Sequence, residues 1–172
     1  MKHYSVENDA PVDLEKMKQT EFMQEKEYRA ANANLIMACH DVFIKYADGI
    51  LLVRRRTKPA INILWPLGGR ILKGFSNEES LSKRTKSECG LELSNIQEIG
   101  CARVILGTDP YGHGKGVDAI AVVFYAESIG NLNLDQSHFD PQIITTKTYT
   151  EEFRETLHPY VRDYMDIAIA KL

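Results

Sequence analysis

The sequence predicts a mixed α/β (α+β) fold, in which a mixed β-sheet is flanked by helices. Strand-like apolar runs come first, one well-capped helix follows, more strands come next, and an amphipathic helix ends the chain. This order is typical of a sheet whose faces are covered by helices. The chain has 172 residues, of which 44% are hydrophobic and 26% charged, so we expect a single domain, residues 1–172, with a sizeable core.

The N-terminal part is predicted to be a helical extension. Residues 13–31 have high helix propensity, with Leu14, Met17, Phe22 and Tyr28 as apolar anchors. Because this segment is also highly charged, we expect a surface helix or a dimer arm rather than part of the core.

Two strand runs follow, at residues 34–45 and 49–54, and the Asp-Gly pair at positions 48 and 49 predicts a hairpin between them. His40 and Asp41 are polar residues inside the first run. They either mark a solvated face of the sheet, or Asp41 points toward a ligand.

The second half of the chain predicts two more strands and a helix. Residues 96–106 form a strand run, and residues 119–127 are almost continuously apolar, as in a central strand covered on both faces. The glycine-rich segment 109–118 between them favours a hairpin tip over an anion-binding loop. Residues 150–172 form an amphipathic helix that Pro159 either kinks or divides.

Composition restricts the classes of function. A formal net charge of −3 gives no reason to expect binding to nucleic acid or to anionic membranes. No apolar run is long enough to span a membrane. Cys39, Cys89 and Cys101 lack the spacing of a metal site, and we expect reduced thiols in a cytoplasmic protein.

The stretch 67–91 carries the strongest local signals. A double glycine opens it, Ser76 and Glu79 form a capping box at the start of a helix, and Gly90 stands where a left-handed residue ends a helix. A glycine corner that leads into a capped helix is a common phosphate-binding arrangement, although it is also a common way to begin a helix. The surrounding residues must therefore decide between a phosphate site and a simple helix start.

Those residues resemble the box of the Nudix hydrolases, G-x5-E-x7-R-E-U-x-E-E-x-G-U, in which U is apolar. Anchored at Gly69, the chain keeps Glu88, Gly90 and Leu91 at the box spacing. It departs from the box at five positions: Phe75, Lys83, Arg84, Thr85 and Ser87. Residues 68–91 thus resemble a degenerate Nudix box, and the resemblance implies a Nudix-like α/β/α sandwich.

Within that superfamily the chain is most similar to the GDP-mannose mannosyl hydrolase (GDP-mannose glycosyl hydrolase) branch, whose box lacks most of the same acids. The matching box residues are Gly68, Gly69, Arg70, Lys73, Lys83, Thr85, Glu88 and Gly90. Outside the box, the run 55–60 (RRTKPA), Asp41 and His138 also match, and the resemblance covers about residues 30–146.

The resemblance implies a divalent cation, Mg²⁺ or Mn²⁺, that bridges the diphosphate of a nucleotide sugar. The matching ligands are the Gly68 carbonyl and the Glu88 carboxylate. Ser137 stands where the branch has a glutamine ligand, and Gln136 is one residue earlier. Oxygen ligands suit such a hard cation.

The resemblance also implies roles for the remaining site residues. Arg56 and Arg70 match arginines that contact the leaving diphosphate, and Asp41 matches a carboxylate beside the sugar. His138 matches the general base that deprotonates water for attack on the anomeric carbon. The implied products are a nucleoside diphosphate and free hexose, and the implied assembly is a homodimer.

Two other functions are compatible with the sequence. One is an ordinary pyrophosphohydrolase that cleaves a P–O bond, and the other is a catalytically inactive nucleotide-binding module. Simpler interpretations of single residues also stay open: Glu88 as the i, i+4 ion-pair partner of Arg84, residues 54–56 as a solvated strand end, and His138 as a surface histidine.

Overall fold

The computed structural model describes Ser5, residues 10–19, Glu21 and residues 23–172. Phe22, one of the predicted helix anchors, lies outside the described residues. The strands are β1 (Met37–Tyr46), β2 (Gly49–Arg55), β3 (Leu64–Trp65), β4 (Leu67–Arg70), β5 (Glu92–Leu106), β6 (Val117–Ile129) and β7 (His138–Ile144). The helices are α1 (Leu14–Met17), α2 (Glu25–Asn34), α3 (Asn77–Cys89), α4 (Glu151–Thr156) and α5 (Pro159–Ile169).

The strands form one mixed sheet in the order β3-β2-β1-β6-β5, with β4 paired to β1 and β7 paired to β2. β1 and β6 run parallel, and the other pairs are antiparallel. β6 lies between β1 and β5, which confirms the central strand predicted from its apolar run.

Helices cover both faces of the sheet. On one face, Val42, Ile44 and Leu51 pack with Leu81 of α3. On the other, a second cluster joins residues of β1 and β2 to α5: Phe43, Ile50, Leu52, Val161 and Met165. The predicted α/β/α arrangement is therefore confirmed.

The local signals for the hairpin and the central helix are also confirmed. Ala47 and Asp48 form the two-residue turn between β1 and β2, and a Cβ at Gly49 would lie 2.6 Å from the Ile144 carbonyl oxygen of β7. The reciprocal hydrogen bonds of the capping box begin α3 at Ser76, and Gly90 ends the helix with a φ of 74°.

The single helix predicted over residues 13–31 is wrong, because α1 and α2 are separate. Between them the Gln19 amide donates to the Lys73 carbonyl at 3.0 Å, a bond that a continuous helix would not leave available. At the C-terminus, Pro159 occupies the first turn of α5, so it begins a second helix rather than kinking one. Among the described residues, no helix is long and apolar enough to cross a membrane.

Candidate active-site cleft

A cleft of about 620 Å³ opens where β1 changes its antiparallel partner. β1 pairs with β2 at residues 44–46 and with β4 at residues 39–42. Because the sheet divides at this point, polar side chains of both strands and of α3 line one space. All the predicted site residues except Arg56 line it: Asp41, Gly68, Arg70, Glu88, Ser137 and His138.

Asp41 lies in this cleft and is only 8% exposed. His40, its neighbour, is fully buried and bonds Ser80 of α3 through Nε2 at 2.9 Å. The interpretation of these two residues as a solvated face is therefore wrong. The Tyr160 hydroxyl donates to Asp41 Oδ2 at 2.6 Å. Burial raises the pKa of Asp41 to about 6, and the bond from Tyr160 and the charge of Arg55 oppose the rise.

Glu88 reaches the cleft from the last turn of α3. Its Oε1 lies 3.4 Å from Nη2 of Arg84, one turn earlier, so the predicted i, i+4 pair exists. Its buried Oε2 has no hydrogen-bond partner among the described residues. Burial raises the pKa of Glu88 to about 7; the Arg84 guanidinium opposes this rise, and Asp135 adds to it.

His138 begins β7, and its side chain is only 10% exposed. Its Nδ1 lies 2.8 Å from Oδ1 of Asp135. Since a carboxylate only accepts, Nδ1 carries the proton in this contact, which leaves Nε2 as the acceptor nitrogen of the neutral imidazole. Asp135 was not predicted as a site residue, although its position three residues before the histidine is a usable signal.

Arg70 projects from the end of β4 against the N-terminal helix. Its guanidinium carbon lies 4.5 Å from the centre of the Tyr28 ring. Tyr28 and Asn32 of α2 line the cleft, and Asn32 also contacts His113 Nε2 of the β5–β6 loop at 2.8 Å. The helical extension thus covers part of the site.

Arg55, rather than Arg56, is the arginine of the run 54–56 that lines the cleft. Arg56 is exposed and lies over the Phe139 ring, with 4.6 Å from its guanidinium carbon to the ring centre. Arg54 pairs with Asp140 at 2.9 Å. Strand alternation explains the difference, because Arg55 continues the face of Leu51 and Val53.

The described residues contain no group of three or more His, Cys, Asp or Glu side chains that could hold a metal ion. One buried carboxylate oxygen, Glu88 Oε2, is nevertheless available. The Ile71 amide donates to the Ala38 carbonyl, so by ladder alternation Asp41 and Gly68 are a non-hydrogen-bonded pair and β1 does not use the Gly68 carbonyl. A carboxylate oxygen and a main-chain carbonyl oxygen are the donor types that Mg²⁺ and Mn²⁺ take, so the chemistry of Glu88 and Gly68 suits such a cation.

No protein-family model matches the chain. The Low-salt glycan biosynthesis protein Agl8 of Haloferax volcanii is 26% identical over 149 residues, which cover 87% of this chain and 92% of that protein.

The structure is similar to solved Nudix structures at low sequence identity. A MutT Nudix hydrolase from Burkholderia pseudomallei matches with a TM-score of 0.62 at 15% identity, over 77% of this chain and 98% of that one. A MutT protein from Methanosarcina mazei Go1 matches with a TM-score of 0.60 at 19% identity, over 79% and 94%. The E. coli ORF135 protein matches with a TM-score of 0.57 at 17% identity, over 80% and 90%. The chain therefore has the Nudix fold, as the degenerate box predicts.

Proposed function

We propose that this chain is a divalent-cation-dependent hydrolase that converts a GDP-mannose-like nucleoside diphosphate sugar into nucleoside diphosphate and free hexose. The observation that carries the proposal is a histidine oriented by Asp135 that lines the same cleft as Asp41, Glu88 and three arginines. The Nudix fold agrees with a diphosphate-containing substrate. Identity to a protein named for glycan biosynthesis supports a sugar as the second part of that substrate.

Arg55 and Arg70 would bind the diphosphate. A guanidinium presents planar pairs of N–H donors that match phosphate oxygens, and its charge stabilises the negative charge that grows on the leaving diphosphate. Arg55 replaces Arg56 in this role because only Arg55 lines the cleft. When bound, a Mg²⁺ or Mn²⁺ held by Glu88 and the Gly68 carbonyl would neutralise further phosphate charge. Ser137 also lines the cleft, but its third-ligand role stays a prediction.

His138 would accept the proton of the attacking water at Nε2. The bond from Nδ1 to Asp135 fixes the tautomer and stabilises the imidazolium that forms, which is the division of labour expected of a base and its orienting carboxylate. Asp41 is ionised above its pKa of about 6, and it would then stabilise positive charge at the anomeric carbon.

Cleavage of a P–O bond is the second candidate, and one observation favours it. Burial raises the pKa of Glu88 to about 7, so at neutral pH this carboxyl could itself exchange a proton with water beside the diphosphate. The products would be a sugar phosphate and a nucleoside monophosphate. The homodimer expected from the resemblance stays a prediction in either case.

Incubation of the purified protein and Mg²⁺ with a panel of GDP- and UDP-hexoses in ¹⁸O-labelled water tests the proposal. We expect free hexose carrying the ¹⁸O label, together with unlabelled nucleoside diphosphate. Label in phosphate would instead establish P–O cleavage. Absence of any product from the whole panel would contradict the proposed function.

Variants next to each other in the chain test the role of His138. We expect His138→Gln to lower kcat by about 10²- to 10⁴-fold, the usual contribution of a general base. Asp135→Asn should lower kcat less and leave KM unchanged, because it only disturbs the orientation of the imidazole. Gln136→Ala is the matched control, since Gln136 is exposed and does not line the cleft. Equal activity of His138→Gln and Gln136→Ala would exclude His138 as the base.

A further inference from the structure

Arg84 brings a positive charge into the cleft at a box position where a glutamate is expected. Its Nη2 lies 3.4 Å from Glu88 Oε1. Charge-assisted N–H···O bonds are shorter, at about 2.7–2.9 Å. The contact is therefore a loose ion pair, and the side chain of Arg84 is 25% exposed beside it.

The contact between Arg84 and Glu88 leaves a buried hydrogen-bonding group of each residue without a described partner. The buried Nε of Arg84 has no acceptor and the buried Oε2 of Glu88 has no donor within the part of the chain that the structure describes. A buried ion pair contributes to stability only when its remaining hydrogen-bonding groups are also satisfied. Among the described residues, one N–H donor of Arg84 and one carboxylate oxygen of Glu88 are thus left without a protein partner.

Gly69 makes room for the guanidinium. Its φ is 153°, and a Cβ built on it would lie 2.5 Å from Arg84 Nη2. The double glycine therefore brings β4 backbone against Arg84, in the same cleft as Arg55 and Arg70. Burial raises the pKa of Tyr28, and the charges of Arg70, Arg84 and Arg55 oppose that rise, as expected where three guanidiniums converge.

We infer that Arg84 is an anion-binding residue that holds the diphosphate of the ligand without a metal ion. The choice of diphosphate rests on the proposed function, but the binding itself does not require hydrolysis. In the ligand-free protein Glu88 partly neutralises Arg84. When a diphosphate binds, its oxygens accept hydrogen bonds from the guanidinium of Arg84, including its Nε–H, and the ion pair between Arg84 and Glu88 breaks.

Calorimetric titration of inorganic pyrophosphate into the full chain tests this inference, once in EDTA and once with Mg²⁺. We expect the wild-type protein to bind pyrophosphate in EDTA. Arg84→Gln should weaken that binding by about ten- to one-hundredfold, the loss expected when hydrogen bonds to a charged group are removed. Lys86→Gln is the matched control: Lys86 lies on the same helix, pairs with Glu92 at 2.8 Å and does not line the cleft.

Glu88→Gln should change pyrophosphate binding in EDTA in the opposite direction to Arg84→Gln. It removes the competitor for the guanidinium, so binding in EDTA should strengthen by about two- to fivefold, the range of a partly exposed ion pair. Binding in Mg²⁺ should weaken, because the carboxylate is lost. This variant keeps the inference testable even if Arg84→Gln does not fold.

Two results would overturn the inference. One is wild-type protein that binds no pyrophosphate in EDTA. The other is Arg84→Gln that unfolds at a lower temperature but binds pyrophosphate as the wild type does, which would make Arg84 only a structural partner of Glu88. Pyrophosphate binding by Arg84 can be measured even if the protein hydrolyses no nucleotide sugar, so each proposal can be contradicted without the other.

Discussion

Both halves of β1 contain buried residues, but these residues differ in chemistry. In the apolar half, residues 42–46, Val42, Phe43 and Ile44 have no exposed surface and pair or pack as an ordinary core strand. In the polar half, residues 37–41, His40 and Asp41 are 0% and 8% exposed. Burial lowers the pKa of His40 to about 4 and raises that of Asp41 to about 6.

The contrast coincides with a change of partner strand. Residues 44–46 pair with β2, whereas residues 39–42 pair with β4, whose two glycines lie opposite His40 and Asp41. Burial alone therefore does not distinguish core from site in this molecule. What distinguishes them is that His40 and Asp41 are ionisable, and that burial shifts the pKa of each toward its neutral form.

Phe43→Ala should have the largest effect on stability, because it removes a core side chain from the apolar half of β1. Phe43 is fully buried and packs in the cluster that contains Val161 and Met165 of α5. Truncation of a buried phenylalanine costs about 3–5 kcal/mol of unfolding free energy. Denaturant unfolding of the variant measures this loss. A cost below about 1 kcal/mol would mean that the strand is not part of a packed core.

The pH dependence of stability sharpens the comparison through Glu88, which lines the cleft beside the polar half. The ordinary pKa of this carboxyl is 4.5, and burial raises it to about 7 in the folded protein. Between these pH values the folded chain keeps a proton that the unfolded chain has lost. The contribution of Glu88 to the unfolding free energy should therefore fall as the pH rises from 4.5 to 7, by up to about 3 kcal/mol, and then level off, and the difference between wild type and Glu88→Gln isolates it from the other titrating groups.

Glu88→Gln cannot ionise at this position, so its stability should change less over the same window and exceed that of the wild type at pH 8. Glu92→Gln is a suitable control, because Glu92 is on the surface and pairs with Lys86. Identical pH profiles for wild type and Glu88→Gln would contradict the raised pKa.

Asp41→Asn, in the polar half of β1, should lower activity without lowering stability. Asparagine can still accept the hydrogen bond from Tyr160 and cannot carry the buried charge, so the melting temperature at pH 7.5 should hold or rise. Loss of the carboxylate beside the sugar should lower kcat about 100-fold, as does loss of one preorganised electrostatic contact. A variant that loses as much stability as Phe43→Ala would show that Asp41 is a structural residue.

Tyr160→Phe should have the smallest effect and report on Asp41 alone. The hydroxyl of Tyr160 donates to Asp41 Oδ2 at 2.6 Å and so lowers the pKa of the carboxyl. Without it, the pKa of Asp41 should rise above 6, and the acid limb of the pH–kcat profile should move to higher pH. Tyr164→Phe, one turn along α5, should leave the profile in place. If wild type, Tyr160→Phe and Tyr164→Phe had the same pH–kcat profile, the acid limb would not report the ionisation of Asp41.

Features that depend on neighbouring residues were predictable from the sequence. The hairpin at residues 47–48, the capping box of α3 and the central strand β6 each have their signals within a few positions. The Nudix fold was predictable because Gly69, Glu88 and Gly90 keep a distinctive spacing. In each case the physical cause is local backbone preference or hydrophobic periodicity.

Features that depend on distant contacts were not predictable. Between α1 and α2 the Gln19 amide bonds the Lys73 carbonyl, a distant contact that no local pattern encodes. Arg56 was predicted where Arg55 lines the cleft, because a one-residue step along a strand reverses the face on which a side chain lies. Asp135 was missed because an acid three residues before a histidine becomes informative only when the loop between them is known.

The 2.5 Å between an added Cβ at Gly69 and Arg84 Nη2 links two positions fifteen residues apart in the chain. An alanine at position 69 would force the end of the Arg84 side chain to move, and the φ of 153° disfavours any side chain there. Homologous sequences that keep arginine at position 84 should therefore also keep glycine at position 69, whereas the glycine can persist where the arginine is absent.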